Sequence, residues 1–356
     1  MRKIQAKKPA AHDVRMKKTY LDIYRDFYDL HPSEVKNAKR IILKNLKESG
    51  IKSRDLPSLN VLNVGTGREA YVFHLFGVRK VYHFDVSDRS VQALTRLRDL
   101  DPKFRNIITR QTDICKHQNL VPDDKIDFVY LNGVLHHLYD PLQAIKNIDR
   151  VLSDLGKCFF RIYRSGSLAF FIVDYIRRFI GFKDRAAVNR RFRIKFPGSN
   201  AANEIMYSDL QDDFFVPVLR LYAKAEMDAF FEQCGFKTIV RQTIPSYDHA
   251  NYENSSQGVS LIYEKGPDTS IKGPFPRSID QLSDISYKEK RIVELVFFMK
   301  SSLEQIRRRS SAERADLALD LYKTSQLIRI PEEIKAAQKW AQLDSILRSS
   351  INQYSK

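Results

Sequence analysis

The sequence predicts an α/β fold, with a mostly parallel sheet of seven strands and helices on both faces. The first observation is that short apolar segments alternate with helical stretches between residues 60 and 163. Such alternation is typical of parallel strands joined by crossover helices. The second observation is that the pattern resumes after residue 222 with one helix and two more strands. The length of 356 residues leaves room for helical additions to this domain.

Each expected strand is a short apolar segment bounded by turn residues or by a helix. The strands are expected at Asn60–Val64, Val81–Asp85, Asn106–Thr112, Ile126–Leu131, Lys157–Tyr163, Phe236–Ile244 and Gly258–Tyr263. Helices are expected between them at Ser90–Leu100, Pro141–Leu152 and Lys224–Cys234. Gly235 is placed to end the last of these helices.

Changes in composition along the chain predict its division into segments. We expect a basic flexible tail at 1–18, a helical N-terminal segment at 19–50, the α/β domain at 51–263 with an insertion at 164–222, a linker at 264–284, and a helical C-terminal extension at 285–356. The linker is expected because Pro and Gly are concentrated there.

Charge and cysteine content restrict the class of protein. The net charge is +17, and the basic excess is concentrated in residues 1–18, 161–200 and 285–356, which favours anionic partners. Three widely spaced cysteines argue against a disulfide framework or a Cys-based zinc site, and no metal site is expected. The sequence shows neither a secretory signal nor an apolar run long enough to span a bilayer. A cytoplasmic location is therefore expected.

A glycine-containing loop after the first strand predicts a site for a nucleoside cofactor. The stretch VLNVGTGREAYVFHLFGVRKVYHFDVS runs from that strand through Gly65 and Gly67 to a second strand ending at Asp85. Glycine allows the backbone to approach a nucleotide, and the acid can accept both ribose hydroxyls. Alone, the loop fits a dehydrogenase, because Gly65, Gly67 and Ala70 match G-x-G-x-x-A.

Four segments in chain order resemble class I S-adenosylmethionine-dependent methyltransferases. They are LNVGTGRE, the Thr112-Asp113-Ile114 segment after the third strand, NGVLHHLYDP after the fourth, and YAKAEMDAFFEQCGFK before the sixth. The resemblance covers about residues 60–263. Within the family, the sequence is similar to the broad small-molecule type, which includes ubiquinone-biosynthesis C-methyltransferases. It favours a Rossmann-like methyltransferase over a dehydrogenase, and it implies S-adenosylmethionine as the cofactor.

The resemblance also implies which residues bind the cofactor. They are Asn63, Gly65, Thr66, Gly67, Glu69, Asp85, Val86, Thr112, Asp113, Ile114, Asn132 and Gly133, with Tyr20 and Tyr24 on an N-terminal helix that would fold over the cofactor as a lid. Two positions depart from the family pattern, since Asn63 replaces the usual acid and Glu69 the usual third glycine. We hypothesise that Glu69 restores the carboxylate that Asn63 lacks.

The chemistry predicted for this site depends mainly on alignment, because orientation of donor and acceptor supplies much of the barrier reduction. A general base is needed only when the acceptor is protonated at neutral pH. The candidates are His136 and His137, and His137 is preferred as the residue facing the site. The alternative is that both histidines only shape the loop and cap the next helix.

The insertion at 164–222 lies where the resemblance implies a substrate cover. Its apolar stretch followed by arginines predicts a pocket with an apolar wall and a clamp for an anionic group. The candidate substrate-binding residues are Tyr28, Arg164, Arg191, Arg193 and Tyr207, with Asp212 and Asp213 as additions. The alternatives are an amphipathic helix on a membrane surface and a packed helix with a solvated basic rim.

Three functions stay open at this point. The preferred one is a methyltransferase for a small anionic or amphipathic metabolite. The second is a methyltransferase acting on RNA, which the basic charge favours although the N-P-P-Y type motif of base methylation is missing. The third is a non-catalytic scaffold that binds a partner through its helical C-terminus. These C-terminal helices could also form an oligomer contact.

Overall fold

The computed structural model describes most of the chain after residue 31. The described residues are 32–116, 124–163, 165, 168–180, 185–197, 207, 210–239, 258–279, 294, 298–299, 301–329 and 336–355. The predicted tail at 1–18 lies outside these ranges, and so do four predicted site residues, Tyr20, Tyr24, Tyr28 and Arg164.

Seven strands form one sheet, which confirms the predicted fold class. They are β1 (Asn60–Val64), β2 (Lys80–Asp85), β3 (Ile107–Gln111), β4 (Ile126–Asn132), β5 (Leu152–Tyr163), β6 (Phe236–Thr238) and β7 (Gly258–Lys265). Their order across the sheet is β3-β2-β1-β4-β5-β7-β6. Strands β1 to β5 pair in parallel, and β7 pairs antiparallel with both β5 and β6. The short strand pair therefore closes one edge of the sheet, as expected.

Helices follow most of the strands and also extend beyond the sheet. They are α1 (Pro32–Glu48), α2 (Gly67–Leu75), α3 (Asp88–Leu100), α4 (Pro141–Val151), α5 (Leu168–Tyr175), α6 (Arg185–Lys195), α7 (Lys224–Gln233), α8 (Leu303–Arg307), α9 (Ser311–Arg329) and α10 (Ala336–Ser355). Gly235 follows α7 with φ of +88°, a conformation that glycine adopts readily after a helix.

The two faces of the sheet carry separate apolar cores because successive side chains of a strand point to opposite faces. Val61 of β1 packs in the core that contains α1, α2 and α3 side chains, whereas Leu62 packs in the core that contains α4 and α7 side chains. Asn45 of α1 donates a hydrogen bond of 2.8 Å to the hydroxyl of Tyr130, which fixes α1 on the first face.

A third core joins the insertion to the C-terminal extension, which the sequence analysis treated as separate segments. We call this unit the helical cap, defined as the described residues of 168–216 and 298–355. Phe170 and Ile172 of α5 are fully buried against Leu317 and Tyr322 of α9 and neighbouring side chains. The described apolar residues of α5 are therefore used within the cap. No helix in the described ranges is long and apolar enough to cross a membrane.

The beginning of the predicted linker at 264–284 is packed against the α/β domain. Its first two residues belong to β7. Ser270 donates a backbone hydrogen bond of 2.9 Å to Cys234, and Ile279 donates one of 2.8 Å to Leu221. As far as residue 279, this segment therefore packs along α7, from the residue after the helix to the residues before it.

Candidate functional site

The candidate site lies at the carboxyl edge of the parallel strands. Strand β1 stands between β2 and β4, so the chain order along the sheet reverses beside β1. In open α/β sheets, ligands bind in the crevice outside the strand ends at such a switch point. The predicted cofactor-binding residues that the structure describes all lie at the carboxyl ends of β1, β2 and β4 or in the segments after β1, β2, β3 and β4.

The loop after β1 needs glycine for steric reasons. Gly65 has φ of +125°, and a Cβ atom there would lie 3.0 Å from Cγ2 of Val134. Gly67 is the first residue of α2, and its Cβ would lie 3.2 Å from Leu94 of α3. The two glycines therefore hold the loop close to the segment after β4 and close to α3, and its approach to a ligand stays a prediction.

A buried chain of hydrogen bonds connects position 63 with the end of β2. The amide nitrogen of Asn63 lies 3.0 Å from the carbonyl oxygen of Thr66 and 3.1 Å from Nδ1 of His83. Burial lowers the pKa of His83 to about 3, so the ring is neutral. Since Nδ1 accepts from the amide, the ring proton lies on Nε2, which contacts the hydroxyl of Ser90. Ser90 in turn donates to the carboxylate of Asp85.

Two carboxyl groups flank the glycine loop. Burial raises the pKa of Glu69 from 4.5 to about 7, and Asn132, Arg68 and Thr66 partly offset this shift. Desolvation likewise raises the pKa of Asp85 from 3.8 to about 7, against hydrogen bonds from its neighbours. Oε1 of Glu69 accepts a hydrogen bond of 2.7 Å from the amide of Asn132. Both carboxyl groups lie where the sequence predicted cofactor contacts.

The end of β3 is tied to the end of β2 and to the loop before α4. The backbone nitrogen of Thr112 donates 2.8 Å to the carbonyl oxygen of Asp85. Oδ1 of Asp113 accepts from the backbone nitrogen of Cys115 at 2.9 Å, and Oδ2 accepts from the hydroxyl of Tyr139 at 3.1 Å. Asp113 thus orders this corner of the site.

The remaining predicted cofactor residues also lie at this edge. Val86 accepts a hydrogen bond of 3.1 Å from the side chain of Gln111. The carbonyl oxygen of Ile114 accepts one of 2.7 Å from Asn147. Gly133 has φ of +80° and directly follows Asn132 at the end of β4.

Buried polar atoms that make no hydrogen bond with any described residue are concentrated at this edge. They include Asn63 Oδ1, Glu69 Oε2, Ser87 Oγ, Thr112 Oγ1 and His136 Nε2. Leaving such an atom unpaired costs about 1–3 kcal/mol, and most buried polar groups are paired. These five atoms belong to residues at or just after the ends of β1 to β4, so unpaired polar groups converge on the edge where a polar ligand is expected.

His136 is held by Tyr163 of β5. Nδ1 of His136 accepts a hydrogen bond of 3.2 Å from the backbone nitrogen of Tyr163, and the two rings stack with centroids 3.8 Å apart. Burial lowers the pKa of His136 well below its usual value, so the ring is neutral. The proton of the neutral ring therefore lies on Nε2, and His136 presents a donor there.

His137 carries its proton on the other ring nitrogen, Nδ1. Its Nδ1 lies 2.9 Å from the carbonyl oxygen of Val218, which can only accept, so Nδ1 carries a proton. Its Nε2 lies 3.3 Å from Oδ1 of Asp212. The hydroxyl of Tyr163 donates to the other oxygen of Asp212 at 2.5 Å. The insertion thus supplies a carboxylate to the histidine pair, a contact that no sequence spacing indicated.

The predicted substrate clamp lies within the helical cap. Arg191 forms two hydrogen bonds with Asp316 of α9. The guanidinium of Arg193 lies 4.4 Å from the ring centroid of Tyr207. The structure brings Arg193 and Tyr207 together, but it pairs Arg191 with the C-terminal extension. Their part in substrate binding stays a prediction.

Arg220 is a structural residue of the site that the sequence analysis missed. Its guanidinium donates to the carbonyl oxygens of Leu138 at 2.5 Å and Tyr139 at 2.9 Å. Its backbone nitrogen donates 3.0 Å to the carbonyl oxygen of His136. Arg220 therefore fixes the loop that carries both histidines. No local motif marks it, because its partners lie about eighty residues away.

Residues 62–160 match the family model described as "Methyltransferase domain". No curated protein matches the sequence. Among solved structures, 1,6-didemethyltoxoflavin-N1-methyltransferase from Burkholderia thailandensis is similar, with 16% identity, a TM-score of 0.42, and coverage of 74% of this chain and 93% of that chain. Magnesium protoporphyrin IX methyltransferase from Synechocystis is similar at 14% identity and a TM-score of 0.42, over 71% and 97% of the two chains.

Proposed function

Residues 62–160 of this chain belong to the class I methyltransferase family, and from this premise we propose that the protein methylates a small-molecule acceptor with S-adenosylmethionine. The observation that carries the proposal is the group of unpaired buried polar atoms at the ends of β1 to β4. Three of them belong to Asn63, Glu69 and Thr112, which the resemblance assigns to cofactor binding. When bound, the cofactor supplies a methyl group on a sulfonium leaving group, for in-line displacement by the acceptor.

The cofactor-binding role is assigned to side chains at the ends of β1 to β4. Asp85 accepts the ribose hydroxyls, and the Ser90 hydroxyl orients its carboxylate. Gly65 and Gly67 let the loop lie close to Val134 and to Leu94 of α3, where a Cβ atom would be crowded. Thr112 and Asp113 flank the nucleoside end of the site, and both are nearly fully buried. This arrangement excludes water and fixes the orientation of the transferred group.

The histidine pair is assigned to the acceptor. His136 donates from Nε2 to an oxygen of the acceptor molecule, because its Nδ1 already accepts from Tyr163. His137 is assigned to take up a proton at Nε2 when the acceptor carries one, and this nitrogen lies 3.3 Å from Oδ1 of Asp212. Tyr163 holds Asp212 in place from its other side.

The acceptor is proposed to be a small anionic or amphipathic molecule. The ring of Phe170 in the cap lies 4.5 Å from that of Tyr163, so apolar surface borders the histidine pair. Arg193 beside Tyr207 supplies positive charge in the same cap. Asp316 neutralises Arg191 within the cap, so the proposed contact to an anionic group is assigned to Arg193.

Isothermal titration with S-adenosylhomocysteine tests the proposal. We expect one binding site per chain, with affinity reduced about tenfold or more in Asp85→Asn, because a charge-assisted contact to the ribose is lost. Transfer of a radioactive methyl group into fractions of a small-molecule extract then identifies the acceptor. A folded protein that binds no S-adenosylhomocysteine would contradict the proposal and support the scaffold function.

The net charge of +17 keeps RNA as a second candidate acceptor. Binding to RNA through phosphate contacts weakens steeply with salt, by about a factor of 10³ or more between 50 and 200 mM for six to ten contacts. Methyl transfer into RNA, together with such a salt dependence, would favour RNA over a small molecule. Transfer into the small-molecule fraction alone would exclude it as the main acceptor.

A further inference from the structure

Position 63 is used for structure rather than for charge recognition. The amide nitrogen of Asn63 donates to Thr66 within the loop and to Nδ1 of His83. A carboxylate only accepts, so it could donate neither to Thr66 nor to Nδ1 of His83. Asn63 stands where the family pattern has an acid, and its side chain instead stabilises the loop and the neutral ring of His83.

A carboxylate at position 63 would also reverse the buried hydrogen-bond chain. His83 would then have to donate from Nδ1 and accept at Nε2 from the hydroxyl of Ser90. Ser90 has only one proton, so it could no longer donate to Asp85. The amide at position 63 therefore keeps the hydroxyl of Ser90 directed at Asp85.

Glu69 supplies a carboxylate on the other side of the same loop. It is the third residue of α2, only 5% exposed, and held at Oε1 by Asn132 at the end of β4. Its second oxygen, Oε2, is buried and has no hydrogen bond of normal distance and angle with a described residue, although the nearby hydroxyl of Thr66 helps to lower the pKa of Glu69. The start of α2 favours an anion there. An oriented carboxylate with one unused buried oxygen is suited to a cationic group.

The two carboxylates mark opposite ends of a ligand. Asp85 belongs to β2, and Asn132, which holds Glu69, belongs to β4, so the two groups lie on opposite sides of β1. A ligand that places its ribose at Asp85 extends across the glycine loop toward Glu69. In S-adenosylmethionine, the group at that end is the amino acid, which carries an ammonium group.

We propose that Glu69, positioned by Asn132, binds the ammonium group of the methionine moiety of the cofactor. The carboxylate that the family pattern has at the end of β1 is thereby supplied in this chain by the first turn of α2. This inference rests on the proposed function, since it assumes that S-adenosylmethionine is the ligand. It assigns Asn63 to the support of Asp85 and the loop.

The test uses two probes that share the nucleoside but differ in the amino acid. S-adenosylhomocysteine contains the ammonium group, and 5′-methylthioadenosine lacks the whole amino-acid part. We expect Glu69→Gln to reduce the affinity for S-adenosylhomocysteine about tenfold or more, with the affinity for 5′-methylthioadenosine changed less than about twofold. Titrations are made at about pH 8, where a carboxyl group with a pKa of about 7 is mostly ionised.

Three further variants make the result specific. Asn132→Ser removes the donor that orients Glu69 and is expected to show the same selective loss. Asp85→Asn is expected to weaken both probes. Glu226→Gln is the matched control, because Glu226 is also the third residue of its helix, α7, but is exposed. It is expected to change neither affinity.

The outcomes separate this inference from the proposed function. Unchanged affinity of Glu69→Gln for S-adenosylhomocysteine would overturn the role of Glu69 while leaving the proposed function in place. An equal loss for both probes would also overturn it, because Glu69 would then only support the loop. If the wild-type protein binds neither probe, the proposed function fails. If Glu69→Gln does not fold, Asn132→Ser decides between the same outcomes.

Discussion

Arg191 of the insertion and Asp316 of the C-terminal extension form a two-point ion pair across the helical cap. Nε of Arg191 donates to Oδ1 at 3.0 Å, and Nη2 contacts Oδ2. Lys195 also pairs with Asp320 one turn further along α9. Together with the shared apolar core, these contacts join the C-terminal helices and the insertion into one helical cap.

A double-mutant cycle measures the contribution of this pair to stability. We expect Arg191→Ala and Asp316→Ala to show a coupling free energy of about 1 kcal/mol, because the pair is partly buried and has bidentate geometry. Chemical denaturation gives the values. The control is the i,i+4 pair of Lys44 and Glu48 on α1, in which the lysine is exposed and the N–O distance is 3.7 Å, expected at about 0.3–0.5 kcal/mol. Equal coupling in the two cycles would show that the cap pair adds no more than a surface pair.

Alanine at the two site glycines should have unequal effects. Gly65 has φ of +125° and no space for a Cβ beside Val134, whereas Gly133 has φ of +80° and nothing within 4 Å. We expect Gly133→Ala to cost about 1–2 kcal/mol of backbone strain, and Gly65→Ala to cost more and to abolish cofactor binding. Thermal unfolding and titration with S-adenosylhomocysteine measure both. A larger loss in Gly133→Ala would contradict the steric account of the loop.

The raised carboxyl pKa values predict a pH dependence of stability and binding. The pKa of Glu69 rises from 4.5 to about 7 on folding, so the folded protein binds more protons between these values. The stabilisation from this group is thus fully present below the unfolded pKa and is lost as pH rises through about 7. Glu69→Gln should remove this contribution, so the Tm of wild type relative to the variant falls from about pH 5 to pH 8.

The affinity for S-adenosylhomocysteine should increase with pH, opposite to the stability contribution of Glu69. Ionised carboxylates at Glu69 and Asp85 are the better acceptors, and the pKa of Asp85 is also raised to about 7. The shift in Tm produced by S-adenosylhomocysteine should therefore increase between about pH 6 and pH 8. A shift that is constant or decreases over this range would show that neither carboxylate ionises on binding.

The buried histidines should give distinct nitrogen NMR signals. We expect His83 and His136 to remain neutral with the proton on Nε2 between about pH 5.5 and 8, because burial lowers the pKa of both rings. His137 should carry a proton on Nδ1, which contacts Val218. Glutamine variants assign the signals among the eight histidines of the chain. A His136 signal that titrates near neutral pH would contradict its role as a fixed donor.

The strand pattern was predictable where apolar segments have clear boundaries. β1 has the bounds expected from the sequence, and the other predicted strands described in full differ by a few residues at their ends. The largest difference is β5, which begins at Leu152 instead of Lys157. After Leu152, the strand continues through residues 153–156, SDLG, in which Leu155 has φ of +61°. This composition is typical of a turn, but here it follows α4 directly as part of β5. Residues 240–244 of the sixth predicted strand lie outside the described residues.

The sequence by itself determined the α/β class, the glycine loop, Asp85 and the histidine pair, because each depends on residues that are neighbours along the chain. Only the tertiary structure decided what these residues contact. Glu69 meets Asn132 from 63 positions away, and Arg191 meets Asp316 from 125 positions away. Such contacts depend on how helices pack on the sheet and on each other, and packing leaves no local periodicity to read. For the same reason, the sequence predicted Arg191 for a substrate clamp but not its pairing with Asp316, and its part in substrate binding stays a prediction.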